Sequence, residues 1–124
     1  MRYLFDTNSV IHLLVGEFPL LTQRVSETEA GDIGVSTVSF AEVSLGVYRG
    51  KPPAPSLLDA FASQVPLVPF DEAAARAYAA LPFKRHNFDR LIAAQAVQRG
   101  LTVITRNTRD FADVPGLRVE NWTV

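Results

Sequence analysis

A chain of 124 residues, 48% of them hydrophobic, is the size of one ordinary domain with room for a sizeable core. A net charge of −1 excludes a global field that would draw the chain to nucleic acid or a membrane, so any such affinity needs a local patch. The lack of cysteine excludes disulfides and thiolate metal sites and fits a reducing compartment. The start, Met1-Arg2-Tyr3-Leu4-Phe5-Asp6, turns polar too soon for a signal peptide, and no apolar run approaches the roughly 20 residues that span a bilayer. A soluble cytoplasmic protein without a membrane partner is the expectation.

Residues 3–5 form a short apolar run that stops at Asp6-Thr7-Asn8-Ser9, the pattern of a central strand with polar groups at its carboxyl end. Residues 10–15 continue as a short helix ended by Gly16 and Pro19, and residues 20–29 read as a second helix. Gly31-Asp32 marks a turn, and residues 33–36 a second strand that again ends in hydroxyls. Residues 38–48 make a helix with apolar Val38, Phe40, Ala41, Val43, Leu45 and Val47. Lys51-Pro52-Pro53-Ala54-Pro55 is the longest loop, after which Ser56 is expected to cap a helix to about residue 64. The prolines in residues 65–70 place a short strand near a sheet edge.

Asp71 caps an alanine-rich helix to residue 81, and residues 82–85 form a connector leading into the basic cluster Lys84-Arg85-His86. Asn87 is a good N-cap and Gly100 a good helix stop; between them Phe88, Leu91, Ile92, Ala96 and Val97 make one broad apolar face. Residues 101–105 are a β-branched buried strand, residues 108–111 a helical turn, and residues 117–119 a last short strand. Strands alternating with helices predict one α/β domain, residues 1–124, built on a mainly parallel central sheet flanked by helices.

Four acids share a context. Asp6 ends the first strand, Glu42 lies one turn into the helix after the second, Asp89 opens the helix before the strand at Leu101, and Asp110 follows that strand with Asn107 beside it. In a parallel sheet these strand ends open on one edge, where ligands sit, so the four acids are expected to converge within metal-bridging distance. At about 4 Å and an effective dielectric near 20, each like-charged pair costs on the order of 4 kcal/mol. Such a cluster must hold protons or a cation, and oxygen-only donors suit Mg²⁺ or Mn²⁺. His12 and His86 have no ligand spacing, which disfavours zinc. Carboxylate-held Mg²⁺ is the apparatus of phosphodiester hydrolysis.

Each acid also has a plainer reading. Asp6, Asn8 and Ser9 could cap the first helix; Ser39-x-x-Glu42 matches a capping box; Asp89 could stabilise its own helix from the first turn. Asp110 could be an exposed loop charge. The shared strand-end placement of all four argues for chemistry. Among the basic residues near the loops or the acidic edge, Arg85, Arg90, Arg106 and Arg109 are candidates for phosphate contacts. An aspartate-nucleophile phosphatase usually wants a second acid two residues after the first, where this chain has Asn8.

These residues resemble the PIN domain, and within it the VapC-type toxins of bacterial type II toxin–antitoxin pairs. The carriers are Leu4-Phe5-Asp6-Thr7-Asn8, Ser39-Phe40-Ala41-Glu42-Val43, Val68-Pro69-Phe70-Asp71, Phe88-Asp89-Arg90-Leu91-Ile92-Ala93-Ala94 and Thr105-Arg106-Asn107-Thr108-Arg109-Asp110-Phe111, with Val114-Pro115-Gly116-Leu117 and Glu120-Asn121-Trp122 in the tail. The resemblance implies that Asp6, Glu42 and Asp89 are the core metal-binding acids, that Asp110 completes the catalytic set, and that Thr7, Asn8, Ser39 and Asn107 support it. It implies a Mg²⁺- or Mn²⁺-dependent endoribonuclease acting on structured RNA such as tRNA. It also implies a homodimer and a cognate VapB-type antitoxin, through which alone operator DNA would be met. The competing reading is a catalytically silent PIN-like binding module. An antitoxin tail would place a basic residue among the acids and apolar anchors near Ile11, Leu14 and Val15.

Overall fold

The computed structural model describes residues 1–82 and 87–124. Five short strands, β1 (Tyr3–Phe5), β2 (Ile33–Ser36), β3 (Leu67–Val68), β4 (Thr102–Ile104) and β5 (Arg118–Glu120), form one parallel sheet in the order β3-β2-β1-β4-β5. The register sets Phe5 beside Val35 and Ile104, so the carboxyl ends of the three inner strands lie level. Six helices are described: α1 (Thr7–Val15), α2 (Pro19–Ser26), α3 (Thr37–Tyr48), α4 (Pro55–Gln64), α5 (Glu72–Ala80) and α6 (Phe88–Arg99). Among the described residues, no helix is long and apolar enough to cross a membrane.

Alternation along the strands divides the core. Phe5 and Ile104 face one side with Val10, Leu21, Val43, Phe61 and Trp122, whereas Leu4 and Val103 face the other with Ile92, Ala93, Ala96 and Phe111. Trp122 closes the first side edge-on to Tyr3 and Phe5, with ring centroids 4.8 and 5.7 Å away. The inner strands are buried on both faces, which is why they read as unbroken apolar runs.

Helix ends follow local chemistry. Asp71 and Asn87 cap α5 and α6 by accepting from the Ala74 and Arg90 amides. Gly16 and Gly100 end α1 and α6 at φ of 81° and 68°, the left-handed region open to glycine. Three expectations change. Ser56 does not cap α4: Ala54 holds the cap position, and Pro55 opens the helix with its fixed φ. Ser39 and Glu42 form no capping box, because α3 begins two residues earlier and Ser36 caps it by accepting from the Val38 amide. Phe88 is 55% exposed, although helical spacing put it on the apolar face of α6. Full burial along α6 begins only at Ile92. The basic connector with Arg85 and His86 lies outside the described residues.

Candidate active site

The site is built at the carboxyl edge of the sheet. The Asp6 amide donates to the Ile104 carbonyl at 3.1 Å, so the β1–β4 ladder continues to the acid itself. Asp6 is 4% exposed. Its Oδ1 accepts from the Ser9 amide at 2.8 Å, capping α1, and its Oδ2 accepts from the Thr105 hydroxyl at 2.6 Å. The Thr105 Oγ1 in turn accepts from the Asn107 amide at 3.0 Å, and the Ser9 hydroxyl donates to the Ile104 carbonyl at 2.9 Å. The plain reading of Asp6 as a cap is therefore true, and it describes only one of its two oxygens. Thr105 was missed at the sequence level; a hydroxyl closing a buried strand beside an acid-bearing neighbour is the signal that finds it.

Glu42 is reached from α1. The Thr7 hydroxyl donates to its Oε1 at 2.6 Å, bridging residues 35 apart in sequence. Asp89 lies in the first turn of α6. Its carboxyl is pushed up from 3.8 to about 6, first by burial and then by the charges of Asp6, Asp110 and Glu42, against a smaller opposing pull from Arg90. The four acids thus share one electrostatic site. Asp110 is exposed on the helical turn Thr108–Phe111, its amide donating to the Asn107 carbonyl.

The convergence stops short of metal-bridging distance: among the described residues, no three Asp, Glu or His side chains stand close enough to hold one ion together. Two of the acids are held by their own neighbours instead, Asp6 by Ser9 and Thr105 and Glu42 by Thr7. The donor set still fits a hard divalent cation. It is all oxygen, and burial together with the neighbouring acids raises Asp89 to about 6, a cost of ionisation that a cation would offset.

The other candidates separate. Ser39 is fully buried and its Oγ has no hydrogen-bond partner. Arg90 is engaged in a two-pronged pair with Asp113 at 2.6 and 3.0 Å, which diverts its charge from an incoming phosphate. Arg106 lies with its guanidinium 5.0 Å over the Phe18 ring, and Arg109 is exposed. Asn8 and Asn107 line a cleft of about 90 Å³ beside Asp6, together with Arg106 and His12. Ile11 and Leu14 are half-buried against the core, and Val15 is exposed.

The PIN domain family matches residues 3–117. The chain is 30% identical over 132 residues to the tRNA(fMet)-specific endonuclease VapC of Shigella flexneri, covering 99% of each chain. It is 29% identical over 133 residues to ribonuclease VapC2 of Rickettsia felis, covering 98% of each. Among solved structures it is similar to the DNA-bound VapBC of Salmonella typhimurium, with a TM-score of 0.83 and 27% identity over 98% of each chain. With these matches running the length of a parallel sheet that carries its acids on one edge, the chain belongs to the PIN domain family, as a VapC-type member.

Proposed function

We propose that this chain is a metal-dependent endoribonuclease, the toxin of a toxin–antitoxin pair, and that it cuts structured RNA, with tRNA the leading candidate. The observation that carries the reading is that Asp6, Glu42 and Asp110 all act on Asp89, which burial first and their charges next raise to about 6. Asp6, Glu42 and Asp89 are the residues that would hold Mg²⁺ or Mn²⁺, which when bound would activate water and offset charge developing on the phosphate. To Asp110, whose charge helps raise Asp89, the reading gives the role of accepting a proton from water or sharing the cation. Thr105 and Ser9 hold the Asp6 carboxylate in one orientation, and Thr7 does so for Glu42, so a cation would meet two acids already oriented and would draw Asp89 toward them. Arg106 and Arg109 supply positive charge for the RNA backbone, as does Arg85 in the sequence.

The names of the relatives support the ribonuclease and its tRNA substrate, and the solved VapBC assemblies support a VapB-type antitoxin through which operator DNA is met. A homodimer and a cytoplasmic location belong to the same reading. An exposed apolar groove lined by Val38, Ala41, Leu45, Phe88 and Leu91 favours a protein partner on that face.

The test is to incubate the purified chain with bulk tRNA and map the RNA ends. Cleavage is expected with Mg²⁺ or Mn²⁺, none in chelator, and none for Asp89→Asn with either metal. Cleavage by Asp89→Asn at the parent rate would sink the carboxylate mechanism.

A further inference from the structure

The cleft beside Asp6 has walls that the carboxylate chemistry does not use. Its lining is Asp6, Asn8, His12, Arg106 and Asn107. Both oxygens of Asp6 already accept a hydrogen bond from within the fold. The remaining groups are two amides, an imidazole and a guanidinium, a set rich in donors. A guanidinium has no lone pair to offer a cation, so this wall suits an anion.

Two of these donors are oriented by a single ring. The Arg106 guanidinium lies 5.0 Å over the face of Phe18, and His12 stands edge-on to the same ring at 4.9 Å and 87°. The His12 Nδ1 lies 3.4 Å from a Glu17 carboxylate oxygen but is buried without a hydrogen-bond partner among the described residues. Among the described residues, no carboxylate comes within ion-pair distance of Arg106, so its charge is held in place without being neutralised. At about 90 Å³ the cleft has room for one phosphate-sized group.

We infer that His12 and Arg106, oriented by Phe18, form with Asn8 and Asn107 a seat for an RNA backbone phosphate flanking the one that is cut. The inference rests on the ribonuclease reading and adds the wall on which the substrate is registered. Asp6 belongs both to the cleft and to the acidic cluster, so a phosphate seated here has its neighbour directed to the acids.

The test measures binding of fluorescein-labelled tRNA to the full chain carrying Asp89→Asn, which is expected to hold RNA without cutting it, across a range of salt. Adding Arg106→Ala is expected to weaken binding by at least about tenfold, as loss of a charge-assisted contact does. It is also expected to flatten the slope of log K against log salt by about 0.7 to 1, one phosphate contact. Adding His12→Ala is expected to weaken binding as well. Arg106→Lys keeps the charge but not the guanidinium fork, and is expected to lose affinity with the salt slope intact. If Asp89→Asn binds tRNA and the added Arg106→Ala and His12→Ala change neither affinity nor slope, the seat is refuted and the ribonuclease reading stands. If Asp89→Asn binds no RNA and the unmutated chain cuts none, both fall.

Discussion

At the scale of single residues, Asp89 is where the electrostatics of the site can be measured. Its folded pKa, about 6, stands above the ordinary 3.8 because burial and three neighbouring acids oppose ionisation. Between about 4 and 6 the folded chain binds more protons at this position than the unfolded chain. Stability without metal therefore rises as pH falls through that window, and the contribution is lost above it. Thermal unfolding in chelator should show a higher Tm near pH 5 than near pH 7, and Asp89→Asn should raise the Tm near pH 7 and flatten the dependence. A large loss of stability in Asp89→Asn would return the residue to a purely helix-stabilising role. Thr105→Val makes a second test, since it removes the hydroxyl donated to buried Asp6 while keeping the shape. A buried carboxylate left without that donor costs about 1–3 kcal/mol, read as a lower urea midpoint, with cleavage reduced as well.

At the scale of elements, one short segment ties together the helices that deliver two of the acids. Gln95, fully buried on α6, donates from Nε2 to the Val68 carbonyl at 3.1 Å and the Pro69 carbonyl at 3.0 Å. The next amide, Phe70, donates to the Thr37 hydroxyl at the start of α3 at 3.2 Å. The exit of the edge strand thus links α6, which carries Asp89, to α3, which carries Glu42. Gln95→Leu would leave two carbonyls without their partner. The expected cost is about 1–3 kcal/mol, seen as a lower urea midpoint at unchanged m-value; an unchanged midpoint would show that water replaces the amide without loss.

At the scale of the whole molecule, the strand order decides what the acids can do together. With β1 between β2 and β4, residues 6, 42, 89 and 110 meet at one edge although 104 positions separate the first from the last. A cation bound there relieves the repulsion that raises Asp89, and ligand binding to the folded state raises stability by mass action. Millimolar Mn²⁺ is expected to raise the Tm of the unmutated chain at pH 7.5, to do so less at pH 5 where Asp89 is protonated, and to leave Asp89→Asn nearly unmoved. Equal shifts in all three samples would place the metal elsewhere.

Much of this was legible in one dimension because the deciding interactions are local. Apolar β-branched runs, the caps Asp71 and Asn87, and glycines 16 and 100 all mark their elements within a few residues, so three of the five strands and the bounds of α6 follow closely from pattern, while the strand expected over residues 65–70 is confined to Leu67–Val68. The polar stop after the first strand likewise pointed to Asp6, and the first turns of the helices after the second strand and before the fourth pointed to Glu42 and Asp89. The last strand was placed one residue early, because Leu117 precedes β5. What pattern could not show were contacts made across the fold. No spacing pairs Thr105 with Asp6 over 99 residues, Thr7 with Glu42 over 35, or Gln95 with the end of β3 over 27 and 26. Nor could it show that Arg90 closes on Asp113 while Arg106 is held over Phe18. Those pairings depend on how helices seat on the sheet, which the sum of many weak packing contacts decides, and no run of neighbouring residues encodes it.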